Sequence, residues 1–127
     1  VTFGSHERHA KMATNRGKAN RLKGHNFERE VARWLRELFP EAKRGIQTRE
    51  GFEAPDVDCR ALWVECKRGA KVSATSAMRQ AMDANEKSGG TRMPVVVWKA
   101  DREPMMVAME AEDWKEVLEG WLRWSNG

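Results

Sequence analysis

The spacing of apolar residues changes several times along this chain, and each change marks an element. Phe27, Val31, Trp34, Leu35 and Leu38 recur every three or four residues, the period of an amphipathic helix. Asn26 is the expected N-cap, and Glu28 and Glu30 in the first turn suit the positive end of the helix dipole. Pro40 is expected to stop that helix near Phe39. Residues 43–49 suit a short strand, and 50–55 a loop. Residues 56–59 and 62–67 read as two strands joined by a tight turn at 60–61, a hairpin.

The period then returns to helical. Residues 73–87 carry Ala77, Met78, Ala81 and Met82 on one side, and Gly89 and Gly90 supply the stop. The run 94–98 is continuously apolar, as expected of a strand buried on both faces. Residues 105–109 predict a further strand. Residues 111–124 predict a closing helix with Trp114, Val117, Leu118, Trp121 and Leu122 turned inward. The expected fold is one α/β domain in the order α-β-β-β-α-β-β-α, a mixed central sheet flanked by helices.

Composition narrows the class. Apolar residues make up 40% and charged residues 33% of 127, which suits a globular domain with a real core and a charged surface. No apolar run approaches the ~20 residues that span a bilayer, and no secretory signal is visible. Cys59 and Cys66 are therefore expected as reduced thiols in an intracellular, cytoplasmic protein.

Charge divides the chain in two. Residues 1–27 hold six basic groups against one acidic group, whereas the rest holds 17 against 18. The net +4 therefore resides in the N-terminal stretch, which also contains Gly4, Gly17 and Gly24 and little apolar content. Residues 1–22 are expected to form a flexible basic arm that meets a phosphate backbone, the alternative being an inert solvated tail; residues 23–127 form the domain.

The densest chemistry lies at Pro55-Asp56 and, nine residues after the aspartate, Glu65-Cys66-Lys67. Strand alternation puts Glu65 and Lys67 on one face. Two carboxylates can share a divalent cation, and an ammonium beside them completes the equipment for cleaving a phosphodiester. The bland alternative is a capped turn and a surface Glu65–Lys67 pair. Asp58 shares the face of Asp56 and is read as structural. His6, His9 and His25 form no metal-like cluster. Trp34, Trp98, Trp114 and Trp121 are expected in the core or an interface.

The flanks carry a resemblance. Lys23-Gly24-His25-Asn26-Phe27-Glu28-Arg29, Gln47-Thr48-Arg49-Glu50-Gly51, Pro55-Asp56, Trp63-Val64-Glu65-Cys66-Lys67-Arg68-Gly69 and the later Gln80 follow one another in a familiar order. Over residues 23–100 the chain resembles the PD-(D/E)XK nuclease superfamily, most of all the small Holliday junction resolvases of archaea and their phage-encoded relatives. It departs from the archaeal enzymes before Pro55, where their Ser/Gly-rich loop is replaced by Arg49-Glu50-Gly51-Phe52-Glu53.

The resemblance implies a restriction-endonuclease-like fold and a Mg²⁺-dependent (or Mn²⁺-dependent) endodeoxyribonuclease that leaves a 5′-phosphate and a 3′-hydroxyl. It implies metal ligands at Asp56, Glu65 and the Cys66 backbone carbonyl, with Glu28 joining directly or through water. Lys67 would orient the attacking water or stabilise transition-state charge, and Gln80 would hydrogen-bond that water or a phosphate oxygen. Arg21, Lys23, Arg44, Arg49, Arg68 and Lys71 would hold the DNA. The implied substrate is branched DNA, a four-way junction, cut by a homodimer whose interface the last helix and the strand 105–109 could supply. The alternatives are a nicking, restriction-like or homing-type nuclease on duplex DNA, and a non-catalytic nucleic-acid-binding module of the same fold.

Overall fold

The computed structural model describes residues 3–46 and 54–126, and side chains from Arg16 onward. The element order is α1 (Phe3–Leu35), β1 (Lys43–Arg44), β2 (Val57–Cys59), β3 (Leu62–Gly69), α2 (Ala74–Lys87), β4 (Met93–Ala100), β5 (Met106–Met109) and α3 (Ala111–Asn126). The expected α/β order and mixed sheet are present. Residues 47–49 of the expected first strand, and the Gln47 to Gly51 part of the resemblance with Arg49, lie outside the described residues.

The sheet has five strands in sequence order, β1-β2-β3-β4-β5. β2 runs antiparallel to both β1 and β3, β3 and β4 run parallel, and β5 returns antiparallel to β4. The β2–β3 hairpin follows from its alternating pattern and its turn at 60–61. The parallel step needs a crossover, and α2 supplies it.

α1 covers one face of the sheet. Phe27, Val31, Ala32 and Leu35 recur at helical spacing and pack on Val57, Cys59, Val64, Cys66, Val95 and Val97. α2 covers the opposite face. Its inward stripe of Ala77, Ala81 and Ala84 is small, and it packs with Trp63 and Val96 in one cluster. Met78 packs at the edge of that cluster, whereas Met82, expected on the same stripe, is exposed.

Helix ends are set by local chemistry. The Ser73 hydroxyl accepts a hydrogen bond from the Ser76 N–H at 3.3 Å, an N-cap for α2. At the far end the Gly89 N–H donates to the Glu86 carbonyl and the Gly90 N–H to the Asn85 carbonyl. That pattern needs left-handed backbone, and both glycines have positive φ, 111° and 65°.

Three expectations are corrected. Asn26 does not cap α1: the helix begins at Phe3, and Asn26 lies inside it with its side-chain oxygen accepting from Arg29. The stretch expected as a flexible arm is thus helical from Phe3 to Leu22, because Ala, Lys and Arg favour helix even without an apolar stripe. α1 also ends at Leu35, four residues before Phe39, in a turn where the Phe39 N–H donates to the Leu35 carbonyl at 2.7 Å.

A fourth correction is larger than these. α3 forms where expected, but none of its residues is buried. Trp114, Val117, Trp121 and Leu122, expected inward, are 49–58% exposed, and Leu118 is half-buried. α3 joins neither core cluster and makes no extensive contact with another described element. Trp34 is likewise exposed, while Trp98 does pack against the core. Among the described residues, no helix is long and apolar enough to cross a membrane.

Candidate active site

The sheet places Asp56 and Glu65 side by side. Val57 pairs with Val64, the last pair of that ladder, so Asp56, just before β2, and Glu65, just after Val64, are neighbours. The Asp56 N–H donates to the Val64 carbonyl at 2.8 Å, which ties this residue to β3 just outside the β2 ladder. The Asp56 Oδ2 accepts from the Cys66 N–H, also at 2.8 Å. β3 backbone therefore fixes the Asp56 side chain as well as its main chain.

Gly45 holds the other side of this turn. Its N–H donates to the Asp56 carbonyl at 2.8 Å. A Cβ at Gly45 would collide with the Pro55 carbonyl oxygen, so only glycine lets β1 approach the segment carrying Asp56 this closely.

Glu65 is 5% exposed. Its Oε1 accepts from the Trp63 indole Nε1–H at 3.2 Å. Burial, the facing Asp56 charge and a hydrogen bond with the Asp56 carboxyl push the Glu65 pKa up to about 8; the Trp63 N–H and Lys67 oppose that rise. Cys66 is buried in the core beneath α1, and burial followed by the charges of Asp56, Glu28 and Glu65 raises its thiol pKa. Cys59 is a buried thiol too, and neither cysteine is in a disulfide.

Lys67 lies two residues on, on the same face, and is half-buried. No described residue forms an ion pair with it. It opens into a groove of about 260 Å³ lined by Arg68, Lys71, Ser73, Ser76 and Gln80, at the N-terminal end of α2. Gln80 is exposed in that groove. A second cavity, of about 390 Å³, holds His25, Glu28, Arg44 and Asp56. The candidate residues thus fall into two groups, Glu28 with Asp56 and Lys67 with Gln80, and the buried Glu65 faces the first through Asp56 and the second through Lys67.

Several expected residues are already engaged. Glu28 is in this neighbourhood, but its Oε2 accepts from Arg44 Nε at 2.7 Å. That ion pair occupies both a proposed ligand and a proposed phosphate contact. Arg68 donates to Asp101 at 2.6 Å and to the carbonyls of Gly69 and Lys99, and Lys23 donates to the same Asp101 at 2.8 Å. Lys23 and Arg68 together lower the Asp101 pKa to about 2. Arg21 and Lys71 are exposed. Asp58 pairs with Arg92 at 3.1 Å, the structural role expected of it.

The donor chemistry fits a hard divalent cation in part. Asp56 and Glu65 are two adjoining carboxylates that repel each other. Among the described residues, however, no group of three or more His, Cys, Asp or Glu side chains is arranged to hold a metal ion. A cation here would need water and backbone oxygen to complete its shell, as Mg²⁺ ordinarily does.

Reading the sequence missed Trp63 as the donor to Glu65, Gly45 as the spacer behind Asp56, and Asp101 as the anchor of Lys23 and Arg68. Only the first left a signal, since Trp63 shares the face of Glu65 by alternation. Comparison with protein-family models, with curated proteins and with solved structures finds no match to this chain.

Proposed function

We propose that this chain is a divalent-metal-dependent DNA endonuclease of the PD-(D/E)XK type, acting on branched DNA as a Holliday junction resolvase inside the cell. One observation carries the reading. The Asp56 and Glu65 carboxyls adjoin, the first fixed by the Cys66 N–H and the second buried on β3, with Lys67 two residues on and in no ion pair with a described residue. A chain gains no stability from burying one carboxyl against another, since the two cannot both ionise cheaply. Such a pair suits a site whose charge is balanced by a bound cation.

Asp56 and Glu65 would hold Mg²⁺ or Mn²⁺, which supplies Lewis acidity toward a phosphodiester when bound. The chain's own residues do the rest. The Cys66 N–H fixes the Asp56 carboxylate, and the Trp63 N–H fixes Glu65, so both oxygens are preorganised. Lys67 presents a positive charge where phosphate oxygens gain charge in the transition state. Lys71 and Gln80 line the groove beyond it and offer contacts to the same strand.

The non-catalytic reading has one observation in its favour, the Glu28–Arg44 pair that engages a would-be ligand. Side-by-side assay of a four-way junction, a flap and a linear duplex with Mg²⁺ separates the readings. The junction should be cut fastest, and Asp56→Asn should cut none of them. Equal cutting of duplex would favour a restriction-like or nicking enzyme, and binding without cutting would favour the module.

A further inference from the structure

A cavity of about 380 Å³ lies on the α2 face of the sheet, at the C-terminal end of α2. Its size falls in the ~300–1,000 Å³ range of small-molecule sites. It adjoins the candidate active site through two shared residues. Pro55 immediately precedes Asp56, and the Trp63 indole is the donor to Glu65. Ile46, 77% exposed, adds apolar surface to the same lining.

The polar side of the cavity is held in place from several elements. Asp58 and Trp63 are paired across β2 and β3, so their side chains leave the sheet together. Asp58 Oδ1 accepts from Arg92 Nη1 at 3.1 Å. Asn85, 7% exposed, donates its side-chain amide to the Arg92 carbonyl at 2.7 Å. Arg92 is thus fixed at its backbone by α2 and at its guanidinium by β2, and such a preorganised group costs little to order on binding. Asp58 Oδ2 and the other guanidinium N–H groups have no partner among the described residues. Lys43, the β1 residue paired with Asp58, brings a second cation to the lining and is in no ion pair with a described residue.

We infer that this cavity takes an unstacked guanine base of the strand beside the cleaved phosphate, an inference that rests on the reading of the chain as acting on DNA. The wall selects the base. Guanine presents two adjacent donors, N1–H and the N2 amino group, which a carboxylate accepts. Its O6 and N7 are acceptors, which an arginine or lysine meets. Asp58 beside Arg92 and Lys43 is the complement of that edge. Adenine carries an amino donor where guanine carries O6, and the pyrimidines offer the carboxylate one donor group only. Pro55, Ile46 and Trp63 give the ring its apolar contacts. Extruding a base costs least where it is already unpaired, and a single strand or a branch point supplies such a base.

Binding of five-nucleotide single strands to the full chain in excess chelator tests the inference without cleavage. Fluorescence anisotropy compares labelled TTGTT with TTATT, TTCTT and TTTTT. Their phosphates are equal in number, so a preference among them reads the base. TTGTT should bind about tenfold tighter than the other three, the scale of one good base contact. Arg92→Ala and Asp58→Ala should each remove that preference and leave the circular dichroism unchanged, because the ion pair is partly exposed. Inosine in place of guanine, which removes the N2 amino group, should weaken binding to the wild type and not to Asp58→Ala. Equal binding of the four strands, or none, would overturn the inference, as would a guanine preference that survives in either variant. Free dGMP binding as tightly as TTGTT would overturn the assignment to a DNA strand. Loss of the predicted pattern alongside intact junction cleavage strikes the cavity alone; a guanine preference in a chain that cuts no DNA strikes the nuclease reading alone.

Discussion

Asp56 accepts a hydrogen bond from the Cys66 N–H at 2.8 Å, and this holds its carboxyl beside that of the buried Glu65. Two carboxylates so placed cannot both ionise cheaply. The consequences are measurable without DNA.

The Glu65 pKa of about 8 in the folded chain lies far above the ordinary glutamate value of ~4.3. The folded state therefore keeps a proton that the unfolded state releases. Stability from this group is complete below the unfolded value and is lost as pH rises toward 8, at up to ~1.4 kcal/mol per pH unit. Urea unfolding of the metal-free protein should show the midpoint falling between about pH 5 and about pH 8. Glu65→Gln, which keeps an acceptor for Trp63 and carries no charge, should flatten that fall. An unchanged slope in the variant would assign the pH dependence to another group.

Gly45→Ala should displace the segment that carries Asp56. The new methyl group meets the Pro55 carbonyl oxygen, which is backbone and cannot rotate away. The expected cost is ~1–3 kcal/mol, typical of overpacking. Chemical denaturation measures it, and a DNA cleavage assay should show activity falling further than stability alone explains.

Lys67→Ala should behave oppositely. Lys67 is half-buried and has no ion-pair partner among the described residues, so unfolding free energy should change by only ~0.5 kcal/mol. Turnover on a junction substrate should fall by ~10²-fold or more, the usual effect of removing one transition-state contact. Unchanged kinetics would demote Lys67 to a surface residue.

Deleting residues 1–20 removes Arg8, Lys11, Arg16 and Lys18. Binding to every DNA substrate should weaken alike, and the slope of log affinity against log salt should fall by up to ~4. Single-turnover cleavage at saturating protein should persist. An unchanged salt slope would make this end of α1 an inert extension.

The legible parts of the fold were those whose pattern depends on neighbours along the chain. The β2–β3 hairpin declared itself by alternation around a short turn, and α2 by its apolar side and paired glycines. α3 was legible as a helix but not in its placement, because an apolar stripe states that a face is covered and not by what. The N-terminal half of α1 was read as irregular because it lacks a stripe, although its Ala, Lys and Arg residues are good helix formers. In the candidate site, Asp56, Glu65 and Lys67 came together as spacing implied. The Glu28–Arg44 and Lys23–Asp101–Arg68 ion pairs did not show in the sequence, since partners 16 to 78 residues apart meet only through the fold.

The central claim is that Asp56 and Glu65 together hold a divalent cation, and calorimetric titration of Mg²⁺ into the wild type at neutral pH tests it most directly. Glu65 carries a proton there, so binding must displace it. The heat should vary with the ionisation enthalpy of the buffer and report about one proton released per ion, with release fading above about pH 9. Glu65→Gln and Asp56→Asn should each bind at least tenfold more weakly, and Glu65→Gln should release no proton. Wild-type protein that binds no Mg²⁺, or variants that bind it as tightly as wild type, would contradict the account.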